Sequence, residues 1–191
     1  KRMSRYQGVI RSVWAEIDLK AITHNLGEVR RLVGSKVAIM AVVKAEAYGH
    51  GAVEIAKATL KAGADWLGVS LPEEGIALRK AGITAPILVF GPLQPDQVRV
   101  VLKHDLTATV CLTETAVALS REATCCRKLA ELHVKVDTGM GRVGVRPEEA
   151  VRFISKISDL PGLKVTGIYS HLATADETKK DYAITQIQKF S

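Results

Sequence analysis

Short apolar runs alternate with segments of helical spacing along most of the chain. The runs have no polar alternation, which predicts strands buried on both faces, as in a parallel sheet covered by helices. The predicted strands are Val37–Val43, Trp66–Leu71, Ile87–Phe90, Ala108–Leu112, Leu132–Val136 and Val165–Ser170. The predicted helices are Val53–Leu60, Glu73–Lys80, Asp96–Lys103, Glu114–Lys128, Pro147–Ser158 and Glu177–Phe190.

A further strand and helix are predicted before this repeat. Residues Val13–Leu19 alternate between apolar and polar side chains, which indicates a strand. Apolar residues at helical spacing then predict a helix over Asp18–Leu32, which Gly34 ends. Residues 1–12 form a basic N-terminal segment.

Six consecutive strand–helix units favour an α/β fold of the TIM-type (β/α) barrel class, preceded by the N-terminal strand and helix. A doubly wound sheet is the alternative, but the first turn carries no G-x-G-x-x-G motif. In a (β/α) barrel, catalytic residues collect just after the carboxyl ends of the strands.

The number of units predicts an incomplete barrel. A closed barrel needs eight units and typically about 250 residues, whereas this chain of 191 residues supplies six and ends inside a predicted helix. We therefore expect an N-terminal piece of a longer protein, or one fragment of a cleaved protein. The first residue, Lys1, is not an initiator methionine, which agrees with trimming.

Composition narrows the function classes further. With 47% hydrophobic and 25% charged residues, the chain has ordinary globular usage, so a disordered or fibrous protein is excluded. No apolar run is long enough to span a bilayer, and no secretory signal is recognisable. The three cysteines do not make a disulfide framework, which favours reduced thiols and a cytoplasmic location.

The net charge of +7 raises the question of nucleic acid. The basic residues are scattered, and only 5% of residues are aromatic, so stacking platforms are scarce. We therefore expect no nucleic-acid partner, and interpret the charge as a solvated basic surface or as attraction for an anionic small molecule.

A lysine and a glycine-containing turn follow the first strand of the repeat, in the segment Lys44–Gly51. In a barrel, the amine of Lys44 would point into the mouth of a partly desolvated pocket. Desolvation favours the neutral amine, the form that Schiff-base chemistry requires. Tyr48 lies in the turn, where its hydroxyl could donate to a phosphate oxygen. A lysine that reaches into solvent and a surface His50 are the structural alternatives.

Polar residues also follow the fifth and sixth strands. His133, Lys135 and Asp137 share one face of a strand, where buried polar groups are costly unless they line a site. Arg142, in a glycine-flanked turn, is placed to bind an oxyanion. The alternative is a structural pair of Asp137 with Arg142 or Lys135 that closes the turn. His171 comes just past the sixth strand.

Together these motifs resemble the alanine racemase family, fold-type III enzymes that use pyridoxal 5′-phosphate (PLP). The motifs are Lys-Ala-x-Ala-Tyr-Gly-His-Gly from Lys44, Lys-Val-Asp-Thr-Gly-Met-Gly-Arg from Lys135, and Ser-His-Leu-Ala-x-Ala-Asp from Ser170. The resemblance is to the N-terminal part of the family. It implies that residues 13–191 form a partial PLP-binding (β/α) barrel domain, without the family's C-terminal β-domain.

The resemblance also implies a role for each site residue. Lys44 would hold PLP through a Schiff base, and Tyr48 would bind the cofactor phosphate. Arg142 would bond the phenolic oxygen of the ring and lie near the substrate carboxylate, and His171 would orient a downstream arginine. The lysine that matches Lys135 is often carbamylated in the family, and the resulting anion positions the arginine. No metal is expected.

The implied activity is two-base racemisation of L- and D-alanine, which supplies D-alanine for peptidoglycan. The family acts as a homodimer, and its second base is a tyrosine from the β-domain of the partner subunit. That tyrosine would lie beyond Ser191, so we expect this segment alone to have little or no racemase activity. Glu46 stands where the family usually has asparagine, which leaves the substrate preference open.

Other functions remain open on the sequence. One is a racemase of the same family that acts on serine or lysine. Another is a non-catalytic PLP-binding protein of cofactor homeostasis, which would be a single barrel but would lack the run Tyr48–Gly51 after the lysine. A third is a structural fragment without cofactor, which visible absorbance with PLP would exclude.

Overall fold

The computed structural model describes residues 13–191, which form a parallel sheet with a helix after each strand. The predicted basic segment, residues 1–12, lies outside the described residues. The strands are β1 (Met40–Val42), β2 (Trp66–Val69), β3 (Ile87–Val89), β4 (Thr107–Val110), β5 (Ala130–Lys135) and β6 (Leu163–Tyr169). The helices are α1 (Leu19–Val33), α2 (Lys44–Gly49), α3 (Ala52–Lys61), α4 (Pro72–Lys80), α5 (Val98–Lys103), α6 (Thr113–Cys126), α7 (Pro147–Ser158) and α8 (Asp181–Phe190).

The six strands lie side by side in the order in which they occur along the chain. Each strand pairs in parallel with the next, from β1 to β6. Across residues 13–191, β1 and β6 each have a strand partner on one side only. The prediction of an incomplete barrel with six strand–helix units is therefore confirmed.

The sheet is strongly curved, and aromatic contacts identify its concave face. Trp66 of β2 and His133 of β5 are three strands apart, yet their ring centroids are 5.2 Å apart. Phe90, just after β3, and Tyr169 of β6 approach to 6.0 Å. Side chains of such distant strands meet only if the sheet bends around them. These residues therefore fill the hollow of a partial barrel.

The opposite, convex face carries the main hydrophobic core. Strand residues that alternate with those in the hollow are fully buried beneath the helices, and the helices contribute aliphatic side chains to the same cluster. This two-sided burial explains why the strands read as continuous apolar runs. Representative members are Leu67, Val89, Ala108, Leu132 and Val134 of the strands and Ile55, Leu78, Leu119 and Ile157 of the helices.

The prediction of a strand over Val13–Leu19 is wrong. Residues 13–18 pair with no strand in the described part of the chain, and Val13 and Trp14 are exposed. A strand needs a neighbour for its amide and carbonyl groups, which alternation alone does not provide. Asp18 instead caps α1, since its carboxylate accepts a hydrogen bond of 2.8 Å from the amide of Lys20.

Other differences concern the ends of elements. Helix α8 begins at Asp181 rather than Glu177, and α5 begins at Val98 rather than Asp96. Strand β1 covers only Met40–Val42 of the predicted Val37–Val43.

None of the helices described between residues 13 and 191 has the length and apolar character needed to cross a membrane.

One arginine ties together the loops that lead into β3 and β4. The guanidinium of Arg79, in the last turn of α4, donates to four backbone carbonyls. The acceptors are Ile83 at 2.8 Å, Ala85 at 2.7 Å, His104 at 3.1 Å and Asp105 at 2.9 Å. The guanidinium thus joins the α4–β3 loop to the α5–β4 loop.

Replacing Arg79 with methionine should lower the free energy of unfolding by about 1–3 kcal/mol, because partly buried carbonyls lose a charged donor. Urea denaturation measures the change. The matched control is Arg99→Met, since the Arg99 side chain is 82% exposed and its contact with Glu122 spans 3.6 Å. We expect the control to stay within about 0.5 kcal/mol of the parent. Equal effects of the two substitutions would contradict this account.

Candidate active site

A turn of left-handed helix begins directly after Lys44, close to the end of β1, and ends with Tyr48, so it separates two of the predicted site residues. The residues Ala45–Tyr48 have φ between 51° and 56°, although none of them is glycine. Each such residue costs about 1–2 kcal/mol relative to the right-handed form. The turn is closed by hydrogen bonds from the Ala47 amide to the Val43 carbonyl (3.0 Å) and from the Gly51 amide to the Glu46 carbonyl (2.8 Å).

This turn brings Lys44 and Tyr48 together. Residues four apart lie one above the other on a helical turn, and Lys44 Nζ is 5.9 Å from the centroid of the Tyr48 ring. Tyr48 is 62% exposed, so its hydroxyl is accessible to a ligand. The strained backbone thus presents an amine and a phenol on the same side of the strand end.

Glu74 of α4 anchors the start of the left-handed turn. One of its carboxylate oxygens accepts a hydrogen bond of 2.6 Å from the Ala45 amide. The other accepts from the amides of Ser70 (2.6 Å) and Leu71 (3.0 Å), at the end of β2. Charge-assisted bonds of this kind offset part of the cost of the left-handed backbone. The residue next to Lys44 is therefore fixed to the neighbouring strand.

Glu46 and His50 have structural contacts at the other end of the turn. The Glu46 carboxylate accepts from the amide of Ala52, the first residue of α3, at 3.2 Å. The ring of His50 is hydrogen-bonded through Nδ1 to the carbonyl of Ala47 at 2.8 Å. Glu46 therefore supplies an acceptor to the first amide of α3, next to the N-cap residue Gly51.

The loop after β5 is folded around the carboxylate of Asp137. One oxygen accepts from the amides of Gly139 and Gly141, and the other from the amide of Arg142, each at 3.0 Å. Burial alone would raise the pKa of Asp137, but these amides outweigh it and hold the pKa below its usual value. The alternative reading, a structural pair of Asp137 with the Arg142 or Lys135 side chain, is not what closes the turn; backbone amides bond the carboxylate instead. Asp137 also lies beyond the end of β5, not on its face.

Four basic groups converge at the carboxyl ends of β1, β5 and β6. Lys135 is 8% exposed, and burial followed by the positive charge of Arg142 lowers its pKa. Partial burial and the charges of Arg142, Lys135 and Lys44 also lower the pKa of His171. Lys44, Lys135, Arg142 and His171 thus lie at one end of the sheet, near enough for their charges to act on Lys135 and His171. This end of the sheet is suited to anions.

Polar groups that the sequence analysis did not single out surround Lys135. Its Nζ is 5.8 Å from the centroid of the Tyr169 ring, and the Tyr169 hydroxyl is 2.9 Å from Thr109 Oγ1. Burial raises the pKa of Tyr169 to about 12. Cys111, just past β4, lies close enough to Lys135 to be affected by its charge, and burial raises the pKa of its thiol. In the sequence, the only hint of this polar cluster was the alternation of Thr107 and Thr109 along β4, which places both on one face of the strand.

His133 lies deeper in the hollow than the other basic residues. Its ring is packed against Trp66 and is 6.5 Å from that of Tyr169, and burial lowers its pKa. A side chain at Gly167 of β6 would meet His133 Nε2 at 2.6 Å, so the glycine makes room for the ring. His133 therefore belongs to the floor of the site.

Helix α8 fixes the two loops that carry Arg142 and His171. Gln186 is 1% exposed, and its Nε2 donates to Thr138 Oγ1 at 3.2 Å and to the His171 carbonyl at 3.0 Å. The Tyr182 hydroxyl donates to the carbonyl of Gly139 at 2.7 Å. The polar pattern of α8 resembles that of any exposed helix face, so no sequence signal distinguishes Gln186 from its neighbours.

Comparison with known proteins identifies the family. The sequence profile described as "Alanine racemase, N-terminal domain" matches residues 17–191. The chain belongs to the alanine racemase family. Alanine racemases of Halothermothrix orenii and Bacillus subtilis (alanine racemase 1) are 47% and 46% identical to it over 182 and 183 residues.

Solved structures of the alanine racemase family share this fold. The Clostridium difficile alanine racemase, in a complex with cycloserine, superposes with a TM-score of 0.91 at 39% identity and is matched over 95% of this chain and 50% of its own. A histidine racemase from Leuconostoc mesenteroides superposes with a TM-score of 0.84 at 31% identity, over 90% of this chain and 46% of its own.

The chain spans about half the length of the curated alanine racemases that it matches. It covers 48% of the H. orenii protein and 46% of the B. subtilis protein, whereas 95% and 94% of this chain are matched. The second half of those alanine racemases has no counterpart among residues 13–191.

The fold should lose stability in acid through Asp137. Because the folded pKa lies below the unfolded value of about 3.9, its contribution is complete above that pH and is lost as the pH falls through the folded pKa. At neutral pH, Asp137→Asn should therefore cost about 1–3 kcal/mol, and its loss of stability on acidification should be smaller than the parent's. Urea denaturation at several pH values measures both.

Asp96→Asn, at an exposed position, serves as the control. It should leave both the neutral stability and the acid dependence of the parent unchanged. A parent and an Asp137→Asn variant with the same stability at every pH would show that the loop does not depend on this carboxylate.

Proposed function

We propose that residues 13–191 form the PLP-binding domain of an amino-acid racemase with alanine as its substrate. The observation that carries the proposal is the position of Lys44, Lys135, Arg142 and His171 at the carboxyl ends of β1, β5 and β6, at one end of the partial barrel, where their charges act on one another. The family membership and the strand-end position of these residues support the same function.

The donor set suits this cofactor. PLP carries a phosphate, an aldehyde and a phenolic oxygen. The exposed hydroxyl of Tyr48 is available to a phosphate, the Lys44 amine to the aldehyde, and the guanidinium of Arg142 to the phenolic oxygen. The loop amides around Asp137 are already occupied, so the binding groups are side chains.

When bound, PLP supplies an electron sink for the α-carbon of the substrate. Lys44 Nζ then removes or returns the α-proton on one face, which requires the neutral amine. Arg142 orients the substrate carboxylate and keeps the positive charge of the site near it. The aromatic side chains that fill the hollow, including Phe90 and Trp66, exclude water from the inner side of the site.

We propose that Lys135 reacts with carbon dioxide to form a carbamate. Burial and the charge of Arg142 lower the pKa of Lys135 and so favour the neutral amine that attacks carbon dioxide. The product loses one proton and becomes an anion. Repulsion between Lys135 and Arg142 would thereby become attraction, which fixes the guanidinium.

Racemisation also needs a second base, and the described tyrosines are poor candidates. Tyr169 is half-buried and bonded to Thr109, and its pKa is raised to about 12. The Tyr182 hydroxyl donates a hydrogen bond to the Gly139 carbonyl, and the Tyr48 hydroxyl is assigned to the cofactor phosphate. We therefore propose that the second base comes from a β-domain of a partner subunit in a homodimer. The D-alanine product would serve peptidoglycan synthesis in the cytoplasm.

A racemase for another amino acid is the second candidate. The observation in its favour is the likeness to the histidine racemase of L. mesenteroides, which has the same fold at 31% identity. Serine and lysine are further candidate substrates. A third candidate is a non-catalytic PLP-binding protein of cofactor homeostasis. Such a protein would convert no amino acid.

PLP should attach covalently to Lys44. The protein mixed with PLP should gain visible absorbance, and borohydride reduction should leave the label on the peptide that contains Lys44, as mass spectrometry would show. Lys44→Ala should lose the absorbance and the label, whereas Lys57→Ala, on the surface of α3, should keep both. Label at another lysine of the unmodified protein would refute the assignment.

The natural full-length protein should interconvert L- and D-alanine, and Lys44→Ala should reduce kcat/KM by at least about a hundredfold. Circular dichroism of L-alanine, L-serine, L-lysine and L-histidine measures the reaction for each substrate. Fastest loss of ellipticity with another amino acid would establish the second candidate. No change with any of them, despite PLP on Lys44, would favour cofactor storage.

A further inference from the structure

We infer that Gln186 of α8 is a positioning residue that sets the separation between the Arg142 loop and His171. The inference rests on the proposed function for its catalytic meaning. Its structural basis is one buried side-chain amide that is bonded to both segments.

The three hydrogen bonds of Gln186 join parts of the chain that are distant in sequence. Nε2 donates to Thr138 Oγ1 at 3.2 Å, on the loop that ends with Arg142. The same nitrogen donates to the carbonyl of His171 at 3.0 Å, and Oε1 accepts from the amide of Ala173 at 2.8 Å. Because the side chain is 1% exposed, water does not replace these bonds easily.

A second contact strengthens the link between the two loops. Thr138 Oγ1 lies 2.7 Å from Ser170 Oγ, so the first residue after Asp137 meets the last residue before His171. Thr138 is itself 2% exposed. Gln186 therefore completes a buried network in which all the polar atoms named have partners. Such a network has one preferred geometry.

The charges explain why the separation needs to be held. Arg142 and Lys135 repel a protonated His171, as does Lys44, and together with burial they lower the pKa of His171. Without a tie at their base, the two loops would move apart to relieve this repulsion. The amide of Gln186 is neutral, so it joins them without adding charge.

The first test uses the natural full-length protein without cofactor. Substitution of Gln186 by methionine keeps the length of the side chain and removes its donors and acceptor. NMR titration of His171, assigned with a His171→Gln variant, should show the pKa rising toward the unperturbed value of about 6.5. Gln188→Met, at an exposed position of the same helix, should leave the pKa unchanged.

The second measurement uses the protein loaded with PLP. Gln186→Met should reduce kcat for alanine by about tenfold to a hundredfold, while the covalent label on Lys44 is retained, because the distant groups are displaced. If the unmodified protein takes no label on Lys44, the proposed function fails, and the His171 titration alone still decides the inference about Gln186.

If Gln186→Met does not fold, Tyr182→Phe provides the second variant. It removes only the hydrogen bond from Tyr182 to the Gly139 carbonyl, at a partly exposed position. It should raise the pKa of His171 in the same direction by a smaller amount. An unchanged His171 pKa in whichever of these variants folds would overturn the inference.

Discussion

The site depends on the curvature that brings the carboxyl ends of β1, β5 and β6 to one place. Because the sheet bends around Trp66, His133 and Tyr169, loops from distant strands approach each other. The residues they carry there are basic, so the same geometry that builds an anion site also creates repulsion. The structure balances that repulsion with ties that leave the basic side chains free.

Those ties share a common design. Glu74 and Asp137 are carboxylates near the site, but each is bonded to backbone amides. Gln186 adds a neutral link between the loops. In each case the backbone of a site segment is held, while Lys44, Arg142 and His171 are not neutralised. The site can therefore keep its attraction for a negatively charged ligand.

The periodicity of the sequence was sufficient to predict the repeating strands and helices, but it did not predict every element correctly. The six strands could be predicted because burial on both faces leaves a continuous apolar run, as in β3 and β4. Whether Val13–Leu19 forms a strand could not be decided from its alternation, since a strand must pair with a neighbour that is distant in sequence. The left-handed turn had no local signal, because residues 45–48 contain no glycine and part of the conformational cost is offset by the distant Glu74. The expectation that site residues follow strand ends led to the candidates Lys44, Arg142 and His171, which lie at one end of the sheet, whereas Gln186 depends on tertiary contacts alone.

The left-handed turn also restricts which sequences this segment can accept. Side chains branched at Cβ tolerate positive φ poorly, so valine, isoleucine and threonine are disfavoured at positions 45 and 47 even where space is available. Glycine would relieve the local cost but would give the unfolded chain more freedom. The alanines found there lie between these limits. Handedness of the main chain, and not only contact with a ligand, therefore limits divergence in the segment between Lys44 and Tyr48.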